Sequence, residues 1–454
     1  MKIRRLAIFL LLGDLLGLLF CLNLAYLLKF GQIYGFFSTT LLMITVLTIV
    51  VLYIGDAYRP DLQVAGFGAP ARTLISCGVV GLAIAVLGYL FQAPSLTQLL
   101  WRGVLLPGLG IFSSWAVLLR LLATKLARSH AKQSSCLLLG TDNGTLGFEQ
   151  EFTMWNPQGR LVILADAPTI PPDLAEHSES LSGSIKDLSF WSSHPWSGVI
   201  VTPHLKLTNQ ETQRLMQFRF RGIPVYHILN FYETYWGKIP SNFLKDNWLA
   251  IENGFGLVSN RINFKLKRLS DFLIAAFLLL LLSPILVITA LAIKLDSSGP
   301  IFYSQLRNGH NKILFRVYKF RSMYQDAENQ GAQWAQQRDP RITRVGFWLR
   351  LMRIDELPQL WNVLKGEMSL IGPRPERPEF DIKLAARIPY YNLRYLVKPG
   401  ITGWAQVLYP YGASVEDARE KLSYDLYYIK NYSIGLDLKI LLKTIRVVLL
   451  GKGR

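Results

Sequence analysis

The sequence predicts a membrane protein of the α+β class. Three observations support this prediction: long apolar runs in the first quarter, short β-rich runs in the middle, and a basic, motif-rich C-terminal part. Apolar residues make up 51% of the 454 residues and charged residues only 18%, below the ~25% of typical soluble domains. This composition excludes a purely soluble or disordered protein.

The chain carries 49 Lys and Arg against 31 Asp and Glu, a formal net charge of +18. A chain both apolar and basic suits an anionic membrane surface and phosphate-bearing ligands. The sequence contains no zinc-finger, basic-zipper or RNA-recognition string, so we expect no nucleic-acid partner. Cys21, Cys77 and Cys136 are too scattered for a disulfide framework or a zinc site, which favours a reducing compartment.

The first quarter predicts four transmembrane helices, because each apolar run approaches the ~20 residues that cross a ~30 Å hydrocarbon layer. The runs are residues 6–28, 35–53, 73–90 and 103–119. The first is too long for a signal peptide and lacks a convincing cleavage site, so we expect a retained helix. For Asp14, inside this run, we favour a polar contact between helices over a functional role.

The cations that flank these runs predict the orientation. With the N-terminus inside, nine cations lie on the inner side and two on the outer side. The inner cations are Lys2, Arg4, Arg5, Arg59, Arg72, Arg120, Lys125, Arg128 and Lys132, and the outer ones are Lys29 and Arg102. This bias predicts a multi-pass protein with a cytoplasmic N-terminus, and four crossings return the chain to the cytoplasm near residue 125.

Residues 134–254 predict a small parallel α/β domain, because strand-like and helix-like segments alternate. The strand-like segments are 136–139, 161–165, 198–202 and 223–228, and the clearest helical one is 207–218. Gly140, Gly144 and Gly147 follow the first strand but do not form a dinucleotide-binding fingerprint. We favour a tight turn there over a phosphate site. The six histidines of the chain show no metal-ligand spacing.

A second membrane-active segment is the apolar run 272–293, which Ser283 and Pro284 interrupt. Proline inside a helix removes a hydrogen bond and bends the axis. The run is long enough for a fifth, kinked crossing. However, both of its flanks are basic, which favours a re-entrant hairpin that enters and leaves by the same membrane face.

The densest chemical signals lie after residue 300. Cations alternate with apolar residues over 300–323, as on a half-buried strand or hairpin that faces anions; they are Arg307, Lys312, Arg316, Lys319 and Arg321. Two turns, 372–375 with Arg374 and 398–403, either contact phosphate or are purely structural.

An acidic pair, Asp355 and Glu356, stands among arginines at the predicted end of a helix, just before Pro358. We expect the surrounding cations to keep the carboxylate pKa low. One carboxylate would attack phosphorus, while the other binds a metal or moves a proton. A diphosphate substrate needs a hard divalent ion such as Mg²⁺.

Four strings carry a resemblance to a known family: YKFRSM, DELPQLWNVLKGEMSLIGPRP, KPGITGWAQV and YDLYYIKNYSIGLDLKILLKT. The chain resembles the bacterial sugar transferases, the monotopic phosphoglycosyl transferases that prime polysaccharide and glycan assembly on undecaprenyl phosphate. The catalytic resemblance covers residues 260–454. The four predicted spans and the middle domain resemble the large subgroup, so nearly the whole chain is covered.

The resemblance implies that Asp355 attacks the β-phosphate of a UDP-sugar, such as a glucose or galactose donor, and releases UMP. Undecaprenyl phosphate then takes the phosphosugar. Glu356 is the second member of the family's acidic dyad, with a role in Mg²⁺ binding or proton handling, and both carboxylates are the expected Mg²⁺ ligands. The expected substrate-binding cations are Lys319, Arg321, Arg350 and Arg374.

The resemblance also completes the predicted architecture. An N-terminal four-helix transmembrane bundle (1–125) and a Rossmann-like α/β middle domain (134–254) precede a C-terminal monotopic catalytic domain (261–454). This last domain enters the membrane through a re-entrant helix at about 271–295, broken at Ser283 and Pro284. The catalytic domain is then cytoplasmic, at the inner membrane of a bacterium, and a homodimer is expected from the subgroup.

One departure from the family limits the transfer of sugar specificity. Many members continue WAQV with an Asn-Gly-Arg-type string, whereas this chain has Leu408, Tyr409, Pro410, Tyr411 and Gly412 and lacks the arginine. Two alternative functions remain: a conventional lipid-acceptor glycosyltransferase that releases UDP, and a membrane-anchored nucleotide-sugar sensor. The terminal run 436–450 suits either the membrane interface or a packed amphipathic helix.

Overall fold

The protein was analysed as a computed structural model, which divides into two compact units, Met1–Tyr226 and His227–Arg454. It describes residues 2–35, 38–55, 57–58, 68–91, 103–132, 135–142, 144–157, 159–166, 180–255, 261–325, 327, 339–409, 412 and 414–449. Arg59, Arg102, Pro410 and Tyr411, all used in the sequence analysis, lie outside these residues.

Among the residues that the structure describes, the first unit opens with four apolar helices that share one hydrophobic core. They are α1 (Lys2–Phe30), α2 (Thr39–Ile54), α3 (Gly68–Phe91) and α4 (Leu105–Lys132). In the described part of the chain, the segments Leu6–Phe30 and Leu105–Lys125 are long and apolar enough to cross a membrane. Thr39–Ile54 and Pro70–Val86 are apolar but shorter. Each of the four predicted apolar runs therefore contains a helix, and two of these helices are long and apolar enough to cross a membrane.

A buried ion pair joins α1 to α4. Arg120 Nη1 donates to Asp14 Oδ1 at 2.9 Å and Nη2 donates to Oδ2 at 2.6 Å, with both side chains at most 1% exposed. Further bonds run from Arg120 to the carbonyl oxygens of Ala57 and Ala116, and its guanidinium lies 5.4 Å from the Tyr58 ring centroid. Asp14 is thus a polar contact between helices. The sequence predicted Arg120 as a cation that flanks the helices at the inner membrane face. This was wrong, because Arg120 is buried between them.

The middle of the chain forms a five-stranded sheet in the order β3-β2-β1-β4-β5. The strands are β1 (Ser135–Leu139), β2 (Arg160–Leu164), β3 (Leu181–Gly183), β4 (Gly198–Val201) and β5 (Val225–His227). Strand β1 runs parallel to β2 and β4, and β2 runs parallel to β3. These parallel pairings agree with the parallel α/β domain that the alternating segments predicted. The short edge strand β3 was not predicted.

The helices described beside this sheet are α5 (Thr145–Trp155), α6 (Leu188–Trp191) and α7 (Asn209–Phe220). The turn after β1 depends on Gly140, whose φ is +83°. A Cβ atom at this position would overlap the Thr202 hydroxyl. The segment after β1 is therefore a tight turn that requires glycine at position 140.

The second unit begins with short helical segments that are held to a later helix by ion pairs. These segments are α8 (Ile228–Phe231), a π-helical turn (Tyr232–Trp236), a 3₁₀ turn (Ser241–Phe243) and α9 (Asp246–Ile251). Lys430 Nζ lies 2.7 Å from Glu233 and 3.1 Å from Glu252, and Lys238 Nζ lies 2.5 Å from Glu420. Residues 233–252 therefore belong structurally to this unit.

The interrupted apolar run forms two helices, α10 (Arg261–Leu281) and α11 (Ser283–Asp296), bent by 61°. Pro284 lies in the first turn of α11. Proline is tolerated there because its missing N–H would have no partner within the helix anyway. The bend thus falls at Ser283 and Pro284, where the sequence predicted a break.

An antiparallel hairpin follows, as predicted, with β6 (Phe302–Asn308) paired to β7 (Leu314–Phe320). The other α-helices and strands that the structure describes are α12 (Arg344–Leu351), α13 (Gln359–Lys365), β8 (Ser369–Ile371), α14 (Pro378–Arg387), β9 (Gly400–Thr402), α15 (Trp404–Leu408), α16 (Val415–Lys430) and α17 (Ile434–Leu449). Helix α17 is a packed amphipathic helix: Ile440 is fully buried and Asp437 pairs with Lys267 at 2.9 Å, while Ile434 and Leu438 are exposed.

The Asp14–Arg120 pair gives a stability prediction. Arg120→Met should destabilise the protein by about 3–5 kcal/mol, because it leaves the Asp14 carboxylate buried and without its cation. The double variant Asp14→Leu/Arg120→Met should recover most of this loss. Thermal unfolding in detergent measures the stability of both variants relative to the unchanged protein. Equal destabilisation by the single and double variants would contradict the prediction.

Candidate active site

The acidic pair lies on a short 3₁₀ turn, Ile354–Glu356, between α12 and α13. Sequence analysis placed it at the end of a helix, and this was wrong in detail. Arg353 has φ +54°, a left-handed conformation that ends α12 before the pair. Pro358 then stands immediately before α13. Asp355 and Glu356 are only 7% and 6% exposed.

Glu356 is held by three cations from separate parts of the unit. Lys319 Nζ and Arg374 Nη2 lie 2.9 and 2.7 Å from its Oε1, and Arg353 Nη1 lies 3.4 Å from Oε2. Burial alone would raise the pKa of Glu356, but Arg374, Lys319 and Arg353 outweigh it and hold the pKa well below its usual range. Glu356 is therefore a fixed negative charge.

Asp355 behaves differently although it is the adjacent residue. Burial raises its pKa, and the negative charge of Glu356 adds to this, against the opposing effects of Lys319 and Arg350. None of the described residues donates a hydrogen bond to its carboxylate. The expectation of a low pKa is thus correct for Glu356 and wrong for Asp355, because the cations bond to Glu356. The Asp355 oxygens remain available to a ligand.

The predicted cations occupy distinct places. Lys319 lies on β7, and Arg350, in the last turn of α12, is close enough to Asp355 to lower its pKa. Arg321 instead donates to the carbonyl and hydroxyl oxygens of Ser297, at 2.6 and 2.9 Å, just after α11. Arg321 is therefore bonded next to the bent helix pair, whereas Lys319 and Arg374 are bonded to the acidic pair.

The two predicted turns form a single substructure. Strands β8 and β9 pair in parallel, Gly372 N–H donates to Thr402 O, and Gly400 N–H donates to Pro373 O, both at 2.9 Å. A Cβ atom at Gly400 would overlap the Gly372 backbone nitrogen. Only glycine permits this approach, and the joined turns fix the backbone from which Arg374 reaches Glu356.

Two residues of the site were not predicted. Arg353 stood among the arginines near the acidic pair; it has a left-handed backbone conformation and donates to Glu356 Oε2 at 3.4 Å. Gln406 lies in the WAQV string, and its Oε1 accepts hydrogen bonds from Arg374 at 3.1 Å and Arg353 at 3.5 Å. The position of Arg353 close to the acidic pair in sequence could have indicated its role. Gln406 is uncharged and distant in sequence, so nothing in the sequence indicated its role.

The acidic pair suits a hard cation. Among the described residues, no group of three or more His, Cys, Asp and Glu side chains is arranged to hold a metal. Mg²⁺, however, is usually bound by one or two carboxylates together with water and substrate phosphates. The unbonded Asp355 carboxylate provides oxygen ligands of this kind. Glu356 oxygens would have to be shared with the three cations.

Comparisons with known proteins identify a family and several relatives of this chain. The bacterial sugar transferase family matches residues 262–451. The chain is 48% identical over 231 residues to the UDP-N-acetylgalactosamine-undecaprenyl-phosphate N-acetylgalactosaminephosphotransferase of Aeromonas hydrophila, covering 51% of this chain and 53% of that relative.

Two further relatives are UDP-glucose:undecaprenyl-phosphate glucose-1-phosphate transferases. That of Caulobacter vibrioides is 45% identical over 181 residues, 39% of this chain and 68% of the relative. That of Escherichia coli is 42% identical over 186 residues, 40% of each chain. This chain thus spans about half the length of the Aeromonas relative and less of the Escherichia one. The extent and identity of these matches show that the chain belongs to the bacterial sugar transferase family.

Proposed function

We propose that this chain transfers a hexose 1-phosphate from a UDP-sugar to undecaprenyl phosphate, releases UMP and thereby primes polysaccharide synthesis. The observation that carries the proposal is the contrast within the acidic pair. Glu356 is bonded to three cations, whereas the buried carboxylate of Asp355 accepts no hydrogen bond from the described residues. Asp355 is thus the available nucleophile in a cationic surrounding.

In the first step, an Asp355 carboxylate oxygen attacks the β-phosphorus of the UDP-sugar. A phosphorus–oxygen bond forms to Asp355, and the bond from this phosphorus to the oxygen shared with the α-phosphate breaks. UMP leaves with that oxygen and its electron pair. Lys319, Arg350 and Arg374 provide positive charge for the phosphates, and Lys319 and Arg350 favour the ionised form of Asp355 against burial.

In the second step, a phosphate oxygen of undecaprenyl phosphate attacks the phosphorus of the covalent intermediate. The bond to Asp355 breaks, and the carboxylate is regenerated with the lipid-linked diphosphosugar as product. Glu356 remains ionised because Arg374, Lys319 and Arg353 stabilise its charge. Its negative charge in turn fixes these cations beside the reacting phosphates.

Asp355 and Glu356 would hold Mg²⁺. When bound, this ion neutralises charge on the diphosphate and on the departing UMP. The residues of the chain complement it, because Arg374 is 44% exposed and can contact phosphate from the solvent side while it remains bonded to Glu356.

We further propose that the protein is a multi-pass protein of the bacterial inner membrane, with four N-terminal crossings and a cytoplasmic catalytic unit, and that it forms a homodimer. The apolar helices and the bend between α10 and α11 support this placement. The basic residues on both sides of the bent pair favour a re-entrant entry from the cytoplasmic face. In this placement, the active site has access to UDP-sugar, undecaprenyl phosphate and the surrounding lipid.

The transfer reaction gives the first functional prediction. Purified protein with Mg²⁺, undecaprenyl phosphate and a panel of UDP-sugars should release UMP with a matching donor. The panel includes UDP-glucose, UDP-galactose and UDP-N-acetylgalactosamine. Asp355→Asn should lower the rate roughly 10³-fold or more, because an amide does not form the covalent intermediate.

Asp246→Asn, an exposed aspartate of the same unit that bonds to Tyr390, is the matched control and should retain activity. Release of UDP would instead identify a conventional glycosyltransferase and remove the role of Asp355. Binding of a UDP-sugar without release of either nucleotide would favour the sensor alternative.

Metal removal gives a second prediction. Excess EDTA should abolish UMP release, and Mg²⁺ should restore it far better than Ca²⁺, because Ca²⁺ favours more ligands at longer distances. Product assays on protein freed of metal by dialysis measure this dependence. Full activity after exhaustive chelation would contradict the assignment of Mg²⁺.

The membrane topology gives a third prediction. In a variant without Cys21, Cys77 and Cys136, single cysteines replace the exposed Glu379 of α14 and the exposed Phe220 of α7. In intact spheroplasts, an impermeant maleimide should label neither, and after lysis it should label both. Labelling of the cysteine at position 379 but not of that at position 220 would show that the bent helix pair crosses the membrane.

A further inference from the structure

The side chain of Gln406 connects two of the arginines that hold Glu356. Its Oε1 accepts from Arg374 Nη1 at 3.1 Å and from Arg353 Nη1 at 3.5 Å. Arg374 uses its other amino group, Nη2, for Glu356 at 2.7 Å. Arg374 therefore bridges a carboxylate and an amide, with one amino group fixed at each end.

The chemistry of the two arginines sets the orientation of the Gln406 amide. A reversed amide would direct its own N–H groups at two guanidinium donors, which accept no hydrogen bonds. In the observed orientation, the Nε2 atom is buried and has no hydrogen-bond partner among the residues that the structure describes. A buried donor of this kind is unfavourable. The Gln406 side chain therefore keeps its two hydrogen bonds to the arginines although its own Nε2 donor has no partner among the described residues.

The helix that carries Gln406 is itself fixed by a segment outside the matched family region. Trp404, at the start of α15, is 4% exposed and donates from Nε1 to the Gly237 carbonyl oxygen at 2.7 Å. Its ring also stacks on Tyr427, with centroids 5.8 Å apart. Gly237 precedes Lys238, which pairs with Glu420 of α16. The start of α15 is thus held by residues that precede position 262, where the family match begins.

We propose that Gln406 is a positioning residue, which holds Arg374 in the orientation that binds the donor diphosphate. This inference rests on the proposed function, since it assumes a diphosphate site at the acidic pair. Glu356 holds one amino group of Arg374 and Gln406 holds the other, so the guanidinium is fixed at both amino groups. With the second amino group on Gln406, the exposed side of Arg374 faces a ligand in one orientation, so less entropy is lost on binding.

A neutral acceptor is the residue type that this role requires. A carboxylate at position 406 would place a second negative charge beside Arg374 and would weaken the attraction for a diphosphate. An apolar side chain of similar size would fill the space but accept no hydrogen bond. Gln406→Met is therefore the variant that removes the acceptor with little change in volume.

The test combines Gln406→Met with Arg374→Met in a double-mutant cycle on the full chain in detergent with Mg²⁺. UDP binding is measured by calorimetry, and KM and kcat for the UDP-sugar are measured from UMP release. Gln406→Met should weaken UDP binding and raise KM about tenfold, the effect of losing one hydrogen bond to a charged group. In the Arg374→Met background, the same change should alter UDP binding less than about twofold, since Gln406 acts through Arg374.

Leu408→Met, on the same short helix, is the control for a general disturbance of α15 and should bind UDP as the unchanged protein does. Additive effects of the two substitutions, or a Gln406→Met protein that binds UDP normally, would overturn the proposal. So would a lack of UDP binding by the unchanged protein. If UDP rather than UMP is released, the proposed reaction fails, but the coupling in UDP binding still decides the role of Gln406.

Discussion

The site depends on one buried charge, that of Glu356. A carboxylate with 6% exposure is unstable in a protein interior unless cations and hydrogen bonds replace the water it has lost. Three cations supply them. Lys319 lies on a hairpin strand, Arg353 lies between α12 and the acidic pair, and Arg374 lies on a turn beside a parallel strand pair. Much of the second unit serves to bring these three chain segments to one point.

The close approach of the turns follows from the same requirement. Arg374 reaches Glu356 only because the turn that carries it lies directly against the turn before α15, and glycine at positions 372 and 400 permits the contact between the two backbones. The same arrangement brings Gln406 to the second amino group of Arg374. Gly372 and Gly400 therefore influence the chemistry indirectly, because they determine where Arg374 lies.

The sequence predicted those parts of the fold that depend on long patterns. Apolar runs indicated the N-terminal helices, alternating segments indicated a parallel sheet, and Ser283 with Pro284 marked the break between α10 and α11. It missed β3, because Leu181–Gly183 is only three residues long and has no apolar run of its own. A single sequence also does not show which distant residues pair. Arg120 was therefore counted as a flanking cation, although it is buried against Asp14.

The acidic pair shows most clearly where sequence-based reasoning ends. Asp355 and Glu356 are adjacent and share the same arginine-rich surroundings in sequence, which suggested one low pKa for both. Yet the two side chains of the tight turn have different partners: Glu356 is bonded to three cations, whereas Asp355 accepts no hydrogen bond from the described residues. Arg353, just before the pair, has a left-handed backbone conformation, and arginine is not one of the residue types in which this conformation is enriched. One carboxylate thus becomes a fixed charge that organises the cations, and its neighbour remains available for reaction.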